Sequence, residues 1–185
     1  AQAVVRLVRA SEGRSLALFT SHESLRRVGE YIRPALEDDG IAVLAQGIDG
    51  SPRQLQENLM VSPRSVILGT QSFWEGVDIR GDALSMVIIA RLPFTPPNDP
   101  IHRARSEEYD SPFAQYSLPA AILKFRQGFG RLIRDRSDRG VVAVLDRRIF
   151  TRPYGAEFVR ALPRCTRIKT TSDVVALRVR EWLTN

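Results

Sequence analysis

The chain has 185 residues, 43% of them hydrophobic and 26% charged, a composition for one compact domain with a substantial core, or one lobe of a larger machine, and not for a disordered segment. No run of about 18 apolar residues occurs and the first residues lack a basic-then-apolar leader, so no membrane span is expected and a cytoplasmic location is. A formal net charge of +6 comes from 27 basic residues, all arginines except Lys124 and Lys169; it suits a phosphate-rich partner without selecting one.

In chain order, Ser15 to Thr20 reads as a buried strand, followed by Ser21 as an N-cap and a helix to about Asp39 that Pro34 is expected to kink or split. Ile41 to Ala45 is a second short strand. Ser51, Pro52 and Gln54 combine an N-cap, a first-turn proline and a capping-box glutamine, which starts a helix to about Met60. Ser65 to Leu68 and Leu84 to Ala90 are further apolar strands, separated by a loop from Gly69 to Asp82. A proline-rich connection, Leu92 to Pro100, leads to helices around Ile101 to Tyr109 and Pro119 to Arg134. Gly140 to Leu145 is a fifth buried strand. Short helices are expected within Thr151 to Leu162, a brief strand near Arg167 to Lys169 and a closing helix from Ser172 to Leu183.

Continuous apolar strands alternating with helices imply an α/β fold, a mainly parallel sheet with helices on both faces. Residues 1–185 read as a single domain, with 166–185 forming a closing strand and helix; because the chain opens on Ala1, a fragment of a longer protein is expected. Ligands of such sheets sit at the carboxyl ends of the strands. Those ends carry Thr20-Ser21-His22, Gln46-Gly47, Gly69 to Asp78, Arg91 to Phe94 and Asp146-Arg147-Arg148.

Two constellations lie in this framework. Gln127, Arg131 and Arg134 are spaced four and three apart, so at about 100° per residue they share one helical stripe, which Lys124 joins. Ile122, Phe125, Phe129, Leu132 and Ile133 fall opposite, as on a helix docked by its apolar face, while Leu123 is out of pattern. Gly128 and Gly130 each cost about 1 kcal/mol of helix propensity, so close approach of another surface or a phosphate is expected there. The bland reading is a solvated basic face; the sharper one is a pair of guanidinium forks stabilising a transferred phosphoryl group.

The second constellation, Gly69-Thr-Gln-Ser-Phe-Trp-Glu-Gly-Val-Asp78, gathers hydroxyls, an amide, two aromatics and two carboxylates just past a strand. Such a loop can follow a nucleic-acid backbone or stack on a base; alternatively Phe73 and Trp74 seal the core. Metal chemistry has little support: Cys165 is the only cysteine, which excludes a four-cysteine cluster within the chain, and His22 and His102 lack ligand spacing.

Leu18-Phe-Thr-Ser21, Gly69 to Asp78, Arg91-Leu-Pro-Phe94 and Gln127 to Arg134, in this order, resemble the second RecA-like motor domain of the DinG and XPD helicases of superfamily 2. The resemblance covers about residues 15–165, and its Ser-Phe-Trp-Glu-Gly-Val-Asp segment is far more specific than Gln-x-x-Gly-Arg-x-x-Arg alone. It implies a RecA-like three-layer α/β/α domain, the C-terminal motor of an ATP-dependent helicase moving 5′ to 3′ on single-stranded DNA. By the resemblance, Arg131 and Arg134 would meet the γ-phosphate, and Gln127 would couple nucleotide state to domain closure. Glu75, Gly76 and Asp78 would lie at the nucleotide. Thr20, Ser21, Thr70 and Gln71 would bind DNA phosphates, and Trp74 would lie near the strand or brace the loop.

The resemblance also implies partners outside the chain. No Gly-x-x-x-x-Gly-Lys-[Ser/Thr] and no Asp-Glu-x-His occur, so ATP and Mg²⁺ would be held mainly by an N-terminal Walker-containing motor domain, and this chain alone is expected not to hydrolyse ATP. An iron–sulfur cluster, found in many relatives, would belong to that first domain. Two other classes remain open: a standalone, non-catalytic nucleic-acid-binding or regulatory module, and an independent metal-dependent nuclease or phosphatase. The latter would need converging carboxylates; Asp38-Asp39, Glu107-Glu108 and Asp146 read more simply as solvated helix ends or loop charges.

Overall fold

The computed structural model describes residues 1–75, 79, 83–96, 98–132 and 139–184. Five strands, β1 (Ser15–Leu18), β2 (Ala42–Ala45), β3 (Ser65–Gly69), β4 (Met86–Ile89) and β5 (Val141–Val144), form one parallel sheet in the order β2-β3-β1-β4-β5. Register is continuous across its centre, with Leu16 opposite Ile67 on one side and Val87 on the other.

The period-two alternation of a strand divides the core in two. Ala17, Val66, Leu68, Met86 and Ile88 face α1 (Gln2–Ala10), α2 (His22–Glu37) and α9 (Ser172–Thr184). Leu16, Leu18, Ile67, Val87 and Ile89 face the other layer, built from α3 (Pro52–Val61), α4 (Gln71–Glu75), α6 (Leu118–Phe129), α7 (Arg148–Thr151) and α8 (Gly155–Arg160). Because both sheet faces are covered, the strands read as unbroken apolar runs. The expected α/β sandwich is the observed one. Among the described residues, no helix is long and apolar enough to cross a membrane.

Local signals act as their chemistry requires. Ser21 Oγ accepts the Ser24 N–H at 3.2 Å and starts α2, which runs unbroken through Pro34. Ser51 and Gln54 complete the capping box of α3.

Four expectations need correction. The sequence reading places no element before Ser15, yet α1 forms there, with Val4, Val5, Leu7 and Val8 buried. The segment after β3 is not wholly a loop, because Gln71–Glu75 forms α4 and turns Phe73 and Trp74 into the core. No strand forms at residues 167–169, which are exposed and have no ladder partner. The helix expected from Pro119 to Arg134 ends at Phe129: it starts as a π-helical turn over Phe113–Ser117, and the Arg131 and Leu132 N–H groups reach back only to Gly128 and Phe129 at 3.3 and 3.2 Å. Three-residue closure tightens a last turn in which two glycines offer little helix propensity. Between β4 and that turn lies α5 (Pro100–Ser106), capped by Asp99.

Candidate functional site

The carboxyl ends of β1, β2 and β3 are neighbours in the sheet, and their polar side chains meet. Thr70, just after β3, is buried, and its N–H donates to Gln46 Oε1 at 2.8 Å. Its hydroxyl lies 3.1 Å from the same Gln46 oxygen and 3.1 Å from His22 Nε2. A hydroxyl has one proton to give, so the Thr70 hydroxyl donates to either Gln46 or His22, and the His22 tautomer decides which. Gln46 Nε2 then reaches Ser72 Oγ at 2.9 Å. Thr20 is half-buried beside this network, and Ser21 is exposed at the head of α2.

One turn further on, α4 meets α6. Lys124 Nζ donates to Gln71 Oε1, and Gln71 Nε2 donates to Glu75 Oε1. The Lys124 ammonium also stands 5.9 Å from the centre of the Trp74 ring, a cation–π contact of about 0.5–1 kcal/mol at a partly open site. Burial pushes the Lys124 pKa down, and the nearby Glu75 charge opposes that shift. Arg131 is half-buried and donates through Nε and Nη2 to the Trp74 carbonyl at 3.2 and 3.0 Å. Glu75, at the end of α4, and Gln127, near the end of α6, are exposed.

Trp74 itself is fully enclosed, and its Nε1 donates to the Phe19 carbonyl at 3.0 Å. An indole with 0% exposure presents no face to a base; of the two roles raised for it, bracing is the one its burial permits, and the direct strand contact is corrected. The need for glycine at 128 has the same origin, since a Cβ there would fall 2.8 Å from the Trp74 ring. Gly130 is different: an added Cβ would meet only backbone oxygen at 3.4 Å, so close packing does not explain it.

The structure therefore brings together Thr20, Ser21, Thr70, Gln71, Trp74, Glu75 and Arg131 at one end of the sheet, while Gln127 is exposed next to the Gly128 that packs on Trp74. Gly76, Asp78 and Arg134 lie outside the described residues, as does Ile133 of the apolar stripe.

Sequence reasoning missed two parts of this end. In the sequence Gln46 stands only as the residue ending a strand; nothing in its neighbours marks it as the hub of the Thr70 network. Asp146 is not a solvated loop charge. It is 9% exposed, accepts the Leu92 N–H at 2.9 Å and is clasped by Arg148, whose Nη2 lies 2.6 Å away. Burial alone would raise its pKa, but the Arg148 side chain and the two backbone N–H groups outweigh this and hold the carboxyl below its ordinary value. Arg148 also covers the Phe94 ring at 5.6 Å, on the wall of a cavity of about 380 Å³ that Phe113, Tyr154, His102 and Ser117 help to line.

Residues 4–165 match the family described as "Helicase C-terminal domain". The chain is 44% identical over 162 residues to the 3'-5' exonuclease DinG of Bacillus subtilis, covering 85% of this chain and 17% of that protein. It is 42% identical over 173 residues to the ATP-dependent DNA helicase YoaA of Haemophilus influenzae, covering 91% and 26%, and 42% identical to YoaA of Escherichia coli, covering 91% and 27%. The chain thus spans roughly a sixth to a quarter of the length of these relatives. Among solved structures, S. tokodaii Xpd4 aligns with a TM-score of 0.56 at 21% identity over 89% of this chain and 34% of that one, a likeness of fold. With the motif-bearing segments gathered at one sheet end and nearly the whole chain matched, the protein belongs to the helicase C-terminal domain family, with DinG and YoaA proteins among its relatives.

Proposed function

We propose that this chain is the second motor domain of an ATP-dependent 5′-to-3′ DNA helicase, gripping single-stranded DNA and presenting arginines to ATP held mainly by a preceding Walker-containing domain. The observation that carries the reading is the pair of hydrogen bonds from Arg131 to the Trp74 carbonyl, which makes one surface of the two motif segments. In this reading, Thr20, Ser21 and Gln71 contact backbone phosphates; the direct contact expected of Thr70 is corrected, because it is buried with its N–H given to Gln46 and its hydroxyl held between Gln46 and His22, so it braces the loop that carries Gln71. The cavity beside Phe94 and Arg148, at the ends of β4 and β5, lies at the same sheet end, and its aromatic and cationic wall suits an unpaired base.

The residues present fit one side of a triphosphate. Arg131 and Lys124 supply two cations beside α4, and Gln127, Arg134, Glu75, Gly76 and Asp78 complete the set by sequence. ATP, when bound, supplies a γ-phosphoryl group whose transfer spreads charge over its outer oxygens. This chain's contribution is positioned donors: guanidinium groups offer rigid forks, and they become catalytic only when the two lobes close. Among the described residues, no cluster of His, Cys, Asp and Glu could hold a metal ion, and Mg²⁺ belongs in this reading to the preceding domain. Any iron–sulfur cluster would likewise draw its cysteines from elsewhere, since this chain has only Cys165.

The test is made in the full-length protein that carries this chain. Arg134→Ala is expected to lower DNA-stimulated ATP turnover by about 10³-fold or more, the usual worth of an arginine finger, while single-stranded DNA binding survives. Near-wild-type turnover removes Arg134 from the catalytic role. A wild-type protein that binds DNA but never hydrolyses ATP makes the domain a binding module instead.

A further inference from the structure

The fully enclosed residue Trp74 meets two of the stretches that the proposed function uses, the end of α6 and the end of β1. Its ring packs on Gly128 so tightly that a Cβ would fall 2.8 Å away, and its own carbonyl holds the Arg131 guanidinium. Its Nε1 donates across the layer to the Phe19 carbonyl at 3.0 Å. Phe19 immediately precedes Thr20 and Ser21, and its N–H is bound to the Gly69 carbonyl at 2.8 Å, immediately before Thr70 and Gln71. One rigid bicyclic group therefore spans from the end of α6 to the end of β1, and the Phe19 main chain carries the link on to the end of β3.

A buried tryptophan needs an acceptor for its N–H, and a carbonyl anywhere in the core would satisfy it. This one binds the main chain that carries the candidate phosphate contacts. With no free volume at Gly128, a shift of the α6 end cannot be absorbed locally, because packed interiors pass displacement to the next rigid contact. Resting on the proposed function, we infer that Trp74 is a positioning residue that couples the arginine-bearing end of α6 to the DNA-gripping ends of β1 and β3.

The test uses the full-length protein, assayed well below the melting midpoint of each variant. Trp74→Phe keeps an aromatic ring and removes the N–H given to Phe19. Leu59→Val, in the same apolar layer but on α3, is the packing control. The expected result is a fall of about fivefold or more in the maximal stimulation of ATP turnover by single-stranded DNA, with the half-maximal DNA concentration moving less than about twofold, as for a lost coupling rather than a lost contact. Leu59→Val is expected to keep wild-type stimulation. Unchanged stimulation in Trp74→Phe, an equal loss in Leu59→Val, or a change confined to the half-maximal DNA concentration overturns the inference. Should Trp74→Phe not fold, Gly128→Ala presses on the ring from its other side; it is expected to lose stimulation likewise, and full stimulation there is equally fatal. Wild-type protein without DNA-stimulated turnover overturns the proposed function and the inference together.

Discussion

Asp146 receives the Leu92 and Arg148 backbone N–H groups and the Arg148 guanidinium, so its charge ties the chain after β4 to the chain after β5 and holds the cation that covers the Phe94 ring. Its folded pKa is held below the ordinary 3.8. A carboxylate shifted this way stabilises the fold fully above its unfolded pKa, and the stabilisation is lost as pH falls through the folded value. Asp146→Asn is therefore expected to lower the unfolding free energy by about 1–3 kcal/mol near neutral pH, with solvent at the partly open Arg148 screening some of the pair. Urea midpoints of wild type and variant should converge as pH drops from about 5 toward about 2. A gap that stays constant across that range would show that the charge is not what Asp146 contributes.

At the scale of the element, α6 is held by two opposing preferences. Gly128→Ala gains about 1 kcal/mol of helix propensity, yet the added methyl lies 2.8 Å from a fully buried ring. Overpacking of that kind costs about 1–3 kcal/mol. The clash is expected to win, because Trp74 is fixed on its far side by Phe19 and cannot retreat. The variant should show a lower urea midpoint; an increase would mean that the α4–α6 contact yields easily and that the glycine is there for another reason. How far α6 extends was poorly legible in the sequence. The 3.6-residue stripe continues through Arg134, and periodicity alone carries no sign that the helix closes at Phe129 and that Arg131 turns toward the Trp74 carbonyl. The inward face was legible: Phe125 is buried and the out-of-pattern Leu123 is exposed.

At the scale of the molecule, the proposed mechanism needs two lobes, and this chain spans 17–27% of the relatives it matches. The isolated chain is expected to show no ATP turnover above buffer, and addition of a separately made Walker-containing lobe is expected to restore DNA-stimulated turnover. Turnover by the isolated chain would contradict the division of the site between lobes. Alternating closure and release of such lobes around a strand is how binding energy becomes stepwise motion. In the proposed reading, the excess of positive charge, +6 overall, is expected to make DNA binding weaken as salt is raised, because cations that meet phosphates release counterions.

The sequence by itself determined the layer architecture and the family. Unbroken apolar strands alternating with helices admit a covered parallel sheet and little else, and the order of the four motif segments is enough for the resemblance. Caps at Ser21 and Ser51 were equally plain, since their partners lie three residues away. Only the tertiary structure decided what the polar and aromatic residues do. Gln46, Thr70 and His22 are separated by 24 residues or more and meet because β2, β3 and β1 are neighbours in the sheet. Trp74 and Phe19 are 55 residues apart, and Asp146 and Leu92 are 54. Periodicity and capping report on neighbours along the chain, whereas burial of a charge or an indole is a property of what arrives from elsewhere, and that is set by strand order and packing.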